Sequence, residues 1–438
     1  MSSILTNNGA MVALQTLKNI NADLGKTQNM ISTGKSVSSA KDNAALWAIS
    51  KVMESDVKGF KAISSSLSLG QSTVAVARQA SETVTDLLTQ MKEKIVASQE
   101  SNVDRAKIQE DIVALRDQIT SVTTAAQFNG LNLLSNRENT AGSGTVNILS
   151  SLDRAATGVT SSNISVRKQD LGTNATNWTT GTAEAAGSGS RISGTLDAAT
   201  AVALAGNGTV LDTSETLVID SVAAGVGFQI NISSSGGTVP TAFNTTAARE
   251  VSYVARDGDT QADVANALAD SFNKRVQALK DAGSLPAASQ LNAAVTVGAT
   301  GAATITFTSS SVLAADTVSL QAVQTNGATA GGRLEALSDI DVTTSAGSDS
   351  ALTEIEGLIQ IAINSASAFG SAQGRVDTQM AFVDQMTDAL RSGIGTLVDA
   401  DMEEASARLQ ALQVQQQLGI QSLSIANQAP QSILSLFR

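Results

Sequence analysis

Leu352, Ile355, Ile359, Ala362, Ala366, Phe369, Gln373, Val376, Met380, Val383, Thr387, Leu390, Ile394 and Leu397 follow one another in alternating steps of three and four residues, and only Gln373 and Thr387 are polar. Such a stripe returns to one face of an α-helix every seven residues and predicts a long helix whose seam lies against another helix. Gln373 and Thr387 either fix the register of that seam or sit at its solvated edge. Gly393 and Gly395 stand just before a slip of register between Leu397 and Met402, where bending or close packing would use them; each costs about 1 kcal/mol relative to Ala in a helix. Beyond the slip the period resumes at Met402, Ala405, Leu409, Leu412, Gln416, Gly419, Leu423 and Ala426. Pro430 is expected to kink or end this last helix before Ile433, Leu434, Leu436 and Phe437.

The other end of the chain mirrors this pattern. Ala10, Ala13, Leu17, Ile20, Leu24 and Ile31 mark a seam, and Met11 and Leu14 widen the apolar face toward a second neighbour. Ser32 to Asp42, rich in turn and cap formers, reads as an extended linker. From Asn43 to about Gln99, Met53, Phe60, Leu67, Val74, Leu88 and Ile95 share a sevenfold register, in a helix of roughly 85 Å at 1.5 Å per residue. Ser101 with Asp104 resembles a capping box. A third stripe, Ile108, Ile112, Leu115, Ile119 and Val122, then stops near the turn Phe128-Asn129-Gly130.

Glycine separates these helical ends from the centre: six lie in residues 1–139, six in 351–438 and twenty-two in 140–350. The centre carries strand-like runs at Thr216–Ile219, Phe228–Ile232, Val251–Val254, Ala293–Val297 and Ala303–Phe307. One helix stands among them, capped by Thr260 and Asp263 and carrying Val264, Ala267, Leu268, Phe272 and Val276. The fold class expected is mainly α, with antiparallel coiled-coil terminal helices, a long helical bundle and a central α+β, β-rich insertion. Residues 140–215 and 325–350 are weakly patterned.

Composition narrows the chemistry. With no Cys and no His, the chain lacks the commonest zinc ligands, thiol nucleophiles and the usual general base near neutral pH. Carboxylate clusters such as Glu403-Glu404, or Asp399 with Asp401, read as solvated helix or linker residues rather than a metal site. No cofactor is expected. A net charge of −12, with no Lys/Arg run beyond two residues, argues against a nucleic-acid partner. The longest early apolar run, Ala10 to Leu14, is too short for a cleaved secretory signal or a membrane span, so export would need a dedicated channel and no membrane insertion is expected.

Several separated stretches resemble bacterial flagellin. Ser3-Ile-Leu-Thr-Asn-Asn8, Ile31-Ser-Thr-Gly-Lys-Ser-Val-Ser-Ser-Ala-Lys-Asp-Asn-Ala-Ala45, Gln127-Phe-Asn-Gly-Leu-Asn-Leu-Leu134 and Ala426-Asn-Gln-Ala-Pro-Gln-Ser-Ile-Leu-Ser-Leu-Phe-Arg438 match the family's opening, linker, bundle-closing element and terminus. They come in the family's order and spacing. Ala40 to Trp47 is most similar to flagellins of soil alphaproteobacteria, and Gly258 to Ala267 is similar to a motif of flagellin and hook-associated insertions.

The resemblance implies an inner coiled-coil domain from residues 1–32 and 402–438, linkers at 33–42 and 398–401, a helical bundle from 43–139 and 351–397, and an outer insertion at 140–350. It implies a structural, non-enzymatic subunit of the extracellular flagellar filament that serves swimming, exported without a cleaved signal. Implied partners are copies of itself, sister flagellins, an export chaperone, the filament cap and hook–filament junction proteins. The terminal seams are expected to serve self-assembly through Met11, Leu14, Leu17, Ile20, Leu24, Ile31, Leu409, Leu412, Leu423, Ile433 and Leu436. The bundle core is expected at Phe60, Leu67, Leu88, Leu115, Ile359, Phe369, Val376, Val383 and Leu390. Leu88 to Val96 aligns with the helix that an innate Toll-like receptor recognises in many flagellins, but Gln90 replaces an Arg and Lys94 a Leu, which implies weak receptor activation. The rival readings are a hook–filament junction protein, which shares the terminal-helix design, a surface adhesin, and an enzyme carried in the insertion.

Overall fold

The computed structural model describes residues 7–155, 158–178, 191–194, 202–205, 213–235, 251–281, 285, 290–299, 301–310 and 317–434. Its helices are α1 (Asn8–Thr33), α2 (Ala44–Ser98), α3 (Arg105–Ala125), α4 (Gln261–Asp281), α5 (Ser345–Val398) and α6 (Met402–Leu434). Its strands are β1 (Gln127–Phe128), β2 (Leu131–Asn132), β3 (Thr145–Ala155), β4 (Gly158–Arg167), β5 (Ile192–Gly194), β6 (Val202–Ala205), β7 (Thr213–Ile219), β8 (Val226–Ser235), β9 (Ser252–Val254), β10 (Gln290–Val297), β11 (Ala303–Ser310) and β12 (Thr317–Asn326). The architecture is mainly helical with a β-containing centre. Two compact units divide the chain: Met1–Ser66, Ser151–Ser162 and Gln379–Arg438 form one, Leu67–Ser150 and Asn163–Thr378 the other.

In the first unit α1 starts behind Asn7, whose side-chain oxygen accepts from the Ala10 amide at 3.0 Å. It ends at Gly34, in the left-handed conformation (φ 69°) that glycine adopts without steric cost. α1 and α6 run antiparallel. Gln416 donates to Asn21 at 2.7 Å, and a Cβ added at Gly419 would stand 3.2 Å from Leu17 Cδ1. Farther along, Ser36 N donates to Val398 O at 2.7 Å and Ala400 N to Gly34 O at 3.0 Å, around an antiparallel bridge of Lys35 with Asp399. The stretch expected to be an extended linker is thus bonded backbone to backbone against the break between α5 and α6. It also turns tightly, because the Asp42 carboxylate accepts from the amides and hydroxyls of Ser38 and Ser39 at 2.9–3.2 Å. Those bonds, the Ser39 amide first, hold the Asp42 carboxyl below the ordinary aspartate range.

The Asn43 side chain caps α2 and the Asp401 side chain caps α6. Thr387 is buried in the α5 seam and returns its hydroxyl to Val383 O at 2.8 Å, so it is internally satisfied rather than at a solvated edge. Gly393 has the Met53 side chain against it, 3.0 Å from where a Cβ would sit, which makes close packing its use. The backbone of α6 stays helical through Pro430 to Leu434, so Pro430 does not end it.

In the second unit the buried face of α2 includes Leu67, Val74, Val84, Leu88, Met91 and Ile95. Ser81 occupies the missing position of that register, fully buried, with its hydroxyl on Ala77 O. α5 contributes Ile355, Leu358, Ala362, Phe369 and Val376, and α3 contributes Ile112 and Ile119. Gln373 accepts from Arg78 Nε at 2.8 Å, a specific cross-helix bond that fixes register. Asp104 itself caps α3 by accepting from Lys107 N, so the capping box expected from Ser101 is not the device used. β1 and β2 form a hairpin whose turn residues Asn129 (φ 51°) and Gly130 (φ 80°) both lie at positive φ, as a two-residue turn between twisted strands requires.

Among the described residues, the insertion contains two four-stranded antiparallel sheets, ordered β10-β11-β7-β5 and β6-β12-β8-β9, besides the two-stranded pair β3-β4. One core draws on both sheets and on α4, with Leu217, Phe228, Ile230, Ile305 and Phe307 meeting Leu268 and Phe272. Phe272 stands edge-on to Phe307 at 5.1 Å. Thr260 and Asp263 cap α4 reciprocally, at 2.8 and 3.2 Å. Asn273 donates to and accepts from the backbone of Ala293 on the edge strand β10. The same unit holds a buried ion pair. Arg256 donates to Asp170 at 3.1 Å, to Tyr253 Oη at 2.8 Å and to Gly331 O, while Asp259 accepts from Arg256 N, Tyr253 Oη and Arg167. Burial raises the Tyr253 pKa; burial opposes the charge on Arg256, but Tyr253 and Asp170 outweigh it and raise its pKa.

Candidate functional site

The terminal helices meet along the residues that the heptads mark. Leu17, Ile20, Leu24 and Ile31 on α1, with Leu409 and Leu423 on α6, are half-buried; Thr27 and Leu412 are buried. Partial burial is what two helices alone can achieve, because each covers only one side of the other. Thr27 satisfies its hydroxyl on Asp23 O. Leu436 and the side chain of Ile433 lie outside the described residues.

A second set of apolar side chains faces away from the seam. Met11 is 63% exposed, Ile420 55% and Ile425 62%, and Leu14 is exposed as well. Three more, Val12, Val414 and Leu418, are also exposed, and the heptads do not mark them. Val414, Leu418 and Ile425 are spaced by four and seven residues, so α6 carries a second stripe offset from its seam. That repeat was the available signal, masked by the stronger seam beside it.

Charge is missing from the same surface. From Leu409 to Phe437 the sequence contains no Asp, Glu, Lys or Arg, in a chain with net charge −12. Copies of α6 can approach one another without the like-charge repulsion that the rest of the molecule would impose. Fully burying one Leu, Ile, Val or Met side chain contributes about 1.5–3 kcal/mol. Association costs about 4–15 kcal/mol in lost freedom. One exposed residue cannot offset that cost, but seven on two adjacent helices can. Among the described residues no helix is long and apolar enough to cross a membrane.

The nine expected core positions divide. Leu67, Leu88, Phe369, Val376 and Val383 are buried, whereas Phe60, Leu115, Ile359 and Leu390 are half-buried at the rim. Leu358, next to Ile359, takes the buried place. On α2, Gln90 is exposed, and Lys94 donates to Asp111 of α3 at 2.6 Å.

Residues 4–139 match the model of the bacterial flagellin N-terminal helical region, and residues 352–437 that of the C-terminal helical region. Flagellin A and Flagellin B of Rhizobium meliloti are each 35% identical to the chain, over 447 and 440 residues and the whole of both sequences. The solved structure of FliC from Burkholderia pseudomallei aligns with 70% of this chain and 99% of its own, at 13% identity and a TM-score of 0.30.

Proposed function

This chain belongs to the bacterial flagellin family, and from that premise we propose that its exposed terminal stripes are the surfaces through which copies join. It is a structural subunit of the extracellular flagellar filament and not an enzyme, and it polymerises with itself. Because the full-length relatives are flagellins, the hook–filament junction reading is set aside. The observation that carries the proposal is the pairing on α6 of a seam covered by α1 with a second apolar stripe that the monomer leaves in water.

In this reading residues 1–32 and 402–438 form the filament's inner coiled-coil domain, 33–42 and 398–401 are the crossings, 43–139 and 351–397 form the bundle, and 140–350 face outward. Leu17, Ile20, Leu24, Ile31, Leu409, Leu412 and Leu423 hold the terminal pair together, and Met11, Leu14, Ile420 and Ile425 meet neighbouring copies. The uncharged apolar face of α6 supports transient capture by an export chaperone before assembly, and passage through the flagellar export channel without a cleaved signal. Meeting the filament cap and co-assembling with sister flagellins complete the proposal.

Seeded elongation tests it. Purified chain added to sheared filament fragments is expected to lengthen them without limit while monomer lasts. A single added layer that then stops would mean the surfaces serve a junction and not a polymer.

A further inference from the structure

Among the described residues, four strands edge the two four-stranded sheets, and three of them are short: β5 and β9 have three residues each and β6 has four. The fourth, β10, has eight, paired to β11 without a bulge from Gln290 to Val297. A long edge offers its outward amides and carbonyls to any other strand, and proteins commonly blunt such edges with charge, proline or a bulge. β10 has none of these. Its sequence, Gln290-Leu-Asn-Ala-Ala-Val-Thr-Val297, is uncharged and free of proline and glycine, and Val297 at its end is 56% exposed. Two copies of such a strand can lie antiparallel with no like charges opposed.

What β10 has instead is Asn273. From α4 its Nδ2 donates to Ala293 O at 2.9 Å, and its Oδ1 accepts from Ala293 N at 2.8 Å. Both backbone groups of one residue are engaged, as a neighbouring strand would engage them. In an antiparallel ladder, residues bonded to the partner strand alternate with residues whose backbone points away from it. Ala293 therefore marks the outward set, to which Leu291, Val295 and Val297 also belong. A strand arriving at this edge has to displace the Asn273 amide.

We propose that Asn273 closes the β10 edge against strand pairing with a second copy of this chain. Assembly raises the local concentration of every surface that the copies carry. An edge able to pair with itself would then be drawn into contacts unrelated to the terminal stripes. The residues involved are not those of the stripes, so the outcome here and that of the polymerisation reading are independent.

The chain has no cysteine, so Thr296→Cys, at an exposed position of β10, supplies a single thiol that reports contact between two such edges. Full-length Thr296→Cys protein is held in oxidised glutathione without filament seeds, and disulfide-linked dimer is followed on non-reducing gels. Adding Asn273→Ala removes both bonds and is expected to speed cross-linking by at least about tenfold. Asn273→Leu, similar in size and a better helix former, is the second variant and should act alike. Val295→Pro in either background removes an outward amide without touching the ladder to β11, and should return cross-linking to its original rate. Val297→Lys, at the exposed end of the strand, stands in if the proline is not tolerated. Thermal melts establish which variants are folded. Unchanged cross-linking in a folded Asn273 variant, or acceleration that the edge substitutions leave in place, overturns the proposal. Loss of fold in both Asn273 variants overturns it too, because Asn273 would then serve only to hold α4 on β10.

Discussion

The side-chain amide of Asn7 donates to the carbonyl oxygen of Ala426 at 2.9 Å, joining a residue near the start of the chain to one near its end. The same side chain caps α1 through its oxygen. One asparagine therefore starts the first helix and fixes its register against the last.

Seam and outer stripe should separate in experiment. Leu14→Ser and Ile420→Ser alter exposed positions, where monomer stability is expected to change by no more than about 0.5 kcal/mol, while elongation is lost. Leu17→Asp and Leu423→Asp also break the α1–α6 pair, and should leave a soluble, mostly folded monomer that does not polymerise. Thermal melts beside sedimentation of assembled material distinguish the two classes, and normal filaments from Leu14→Ser with Ile420→Ser would refute the assignment.

Two helix glycines should respond to alanine with opposite sign. A Cβ at Gly70 would stand 2.6 Å from Ile148, and the overpacking is expected to cost about 1–3 kcal/mol. At Gly374 the space is open, so alanine should stabilise the monomer by up to about 1 kcal/mol. Denaturant unfolding of both variants checks the difference.

Removing one partner of the buried ion pair should be costly. Asp170→Ala or Arg256→Met leaves a charge without its partner and is expected to destabilise the second unit by about 3–5 kcal/mol. Asp170→Leu with Arg256→Met removes both charges and should recover much of the loss. A double-mutant cycle measures the coupling, and additive losses would show that the pair does not act as a unit.

The Asp42 turn should loosen in acid. Its carboxyl titrates below the ordinary aspartate range when folded, so its contribution is complete above the unfolded pKa and is lost as pH falls through the lowered one. Amide exchange at Ser38 and Ser39 should therefore speed up on acidification beyond the intrinsic trend, and Asp42→Asn should abolish that excess. Exchange insensitive to the substitution would assign the turn to other contacts.

Receptor activation by purified monomer should be weak. Gln90 offers no cation, and Lys94, paired with Asp111, puts a charge where the resemblance implies an apolar side chain. Gln90→Arg with Lys94→Leu is expected to raise signalling in a reporter cell line, and strong signalling by the unaltered chain would refute the reading.

Periodicity made the helical half legible because a heptad seam constrains one residue in every three or four. The Thr260 and Asp263 cap was legible for a similar reason, since both partners lie within one turn. Strands β3, β4 and β12 are not legible in the sequence. Thr145–Ala155 and Thr317–Asn326 mix Ser, Thr, Asn and Gln into both faces, so period two is blurred and pairing partners far along the chain decide the fold. The outer stripe was half legible: Met11, Leu14, Ile420 and Ile425 stand beside the seam, but Val414 and Leu418 show their meaning only once α1 is seen to cover the opposite side. Asp170 and Arg256, 86 positions apart, carry no local signal at all.

Gly34 and Ser36 are bonded to Ala400 and Val398 at one end of the terminal pair, and Asn7 is bonded to Ala426 toward the other. A tensile load on either strand of this hairpin-like pair is thus shared at two anchor points. Helices α1 and α6 are clamped toward both ends of their contact, and peeling one from the other requires breaking an anchor before any sliding can begin.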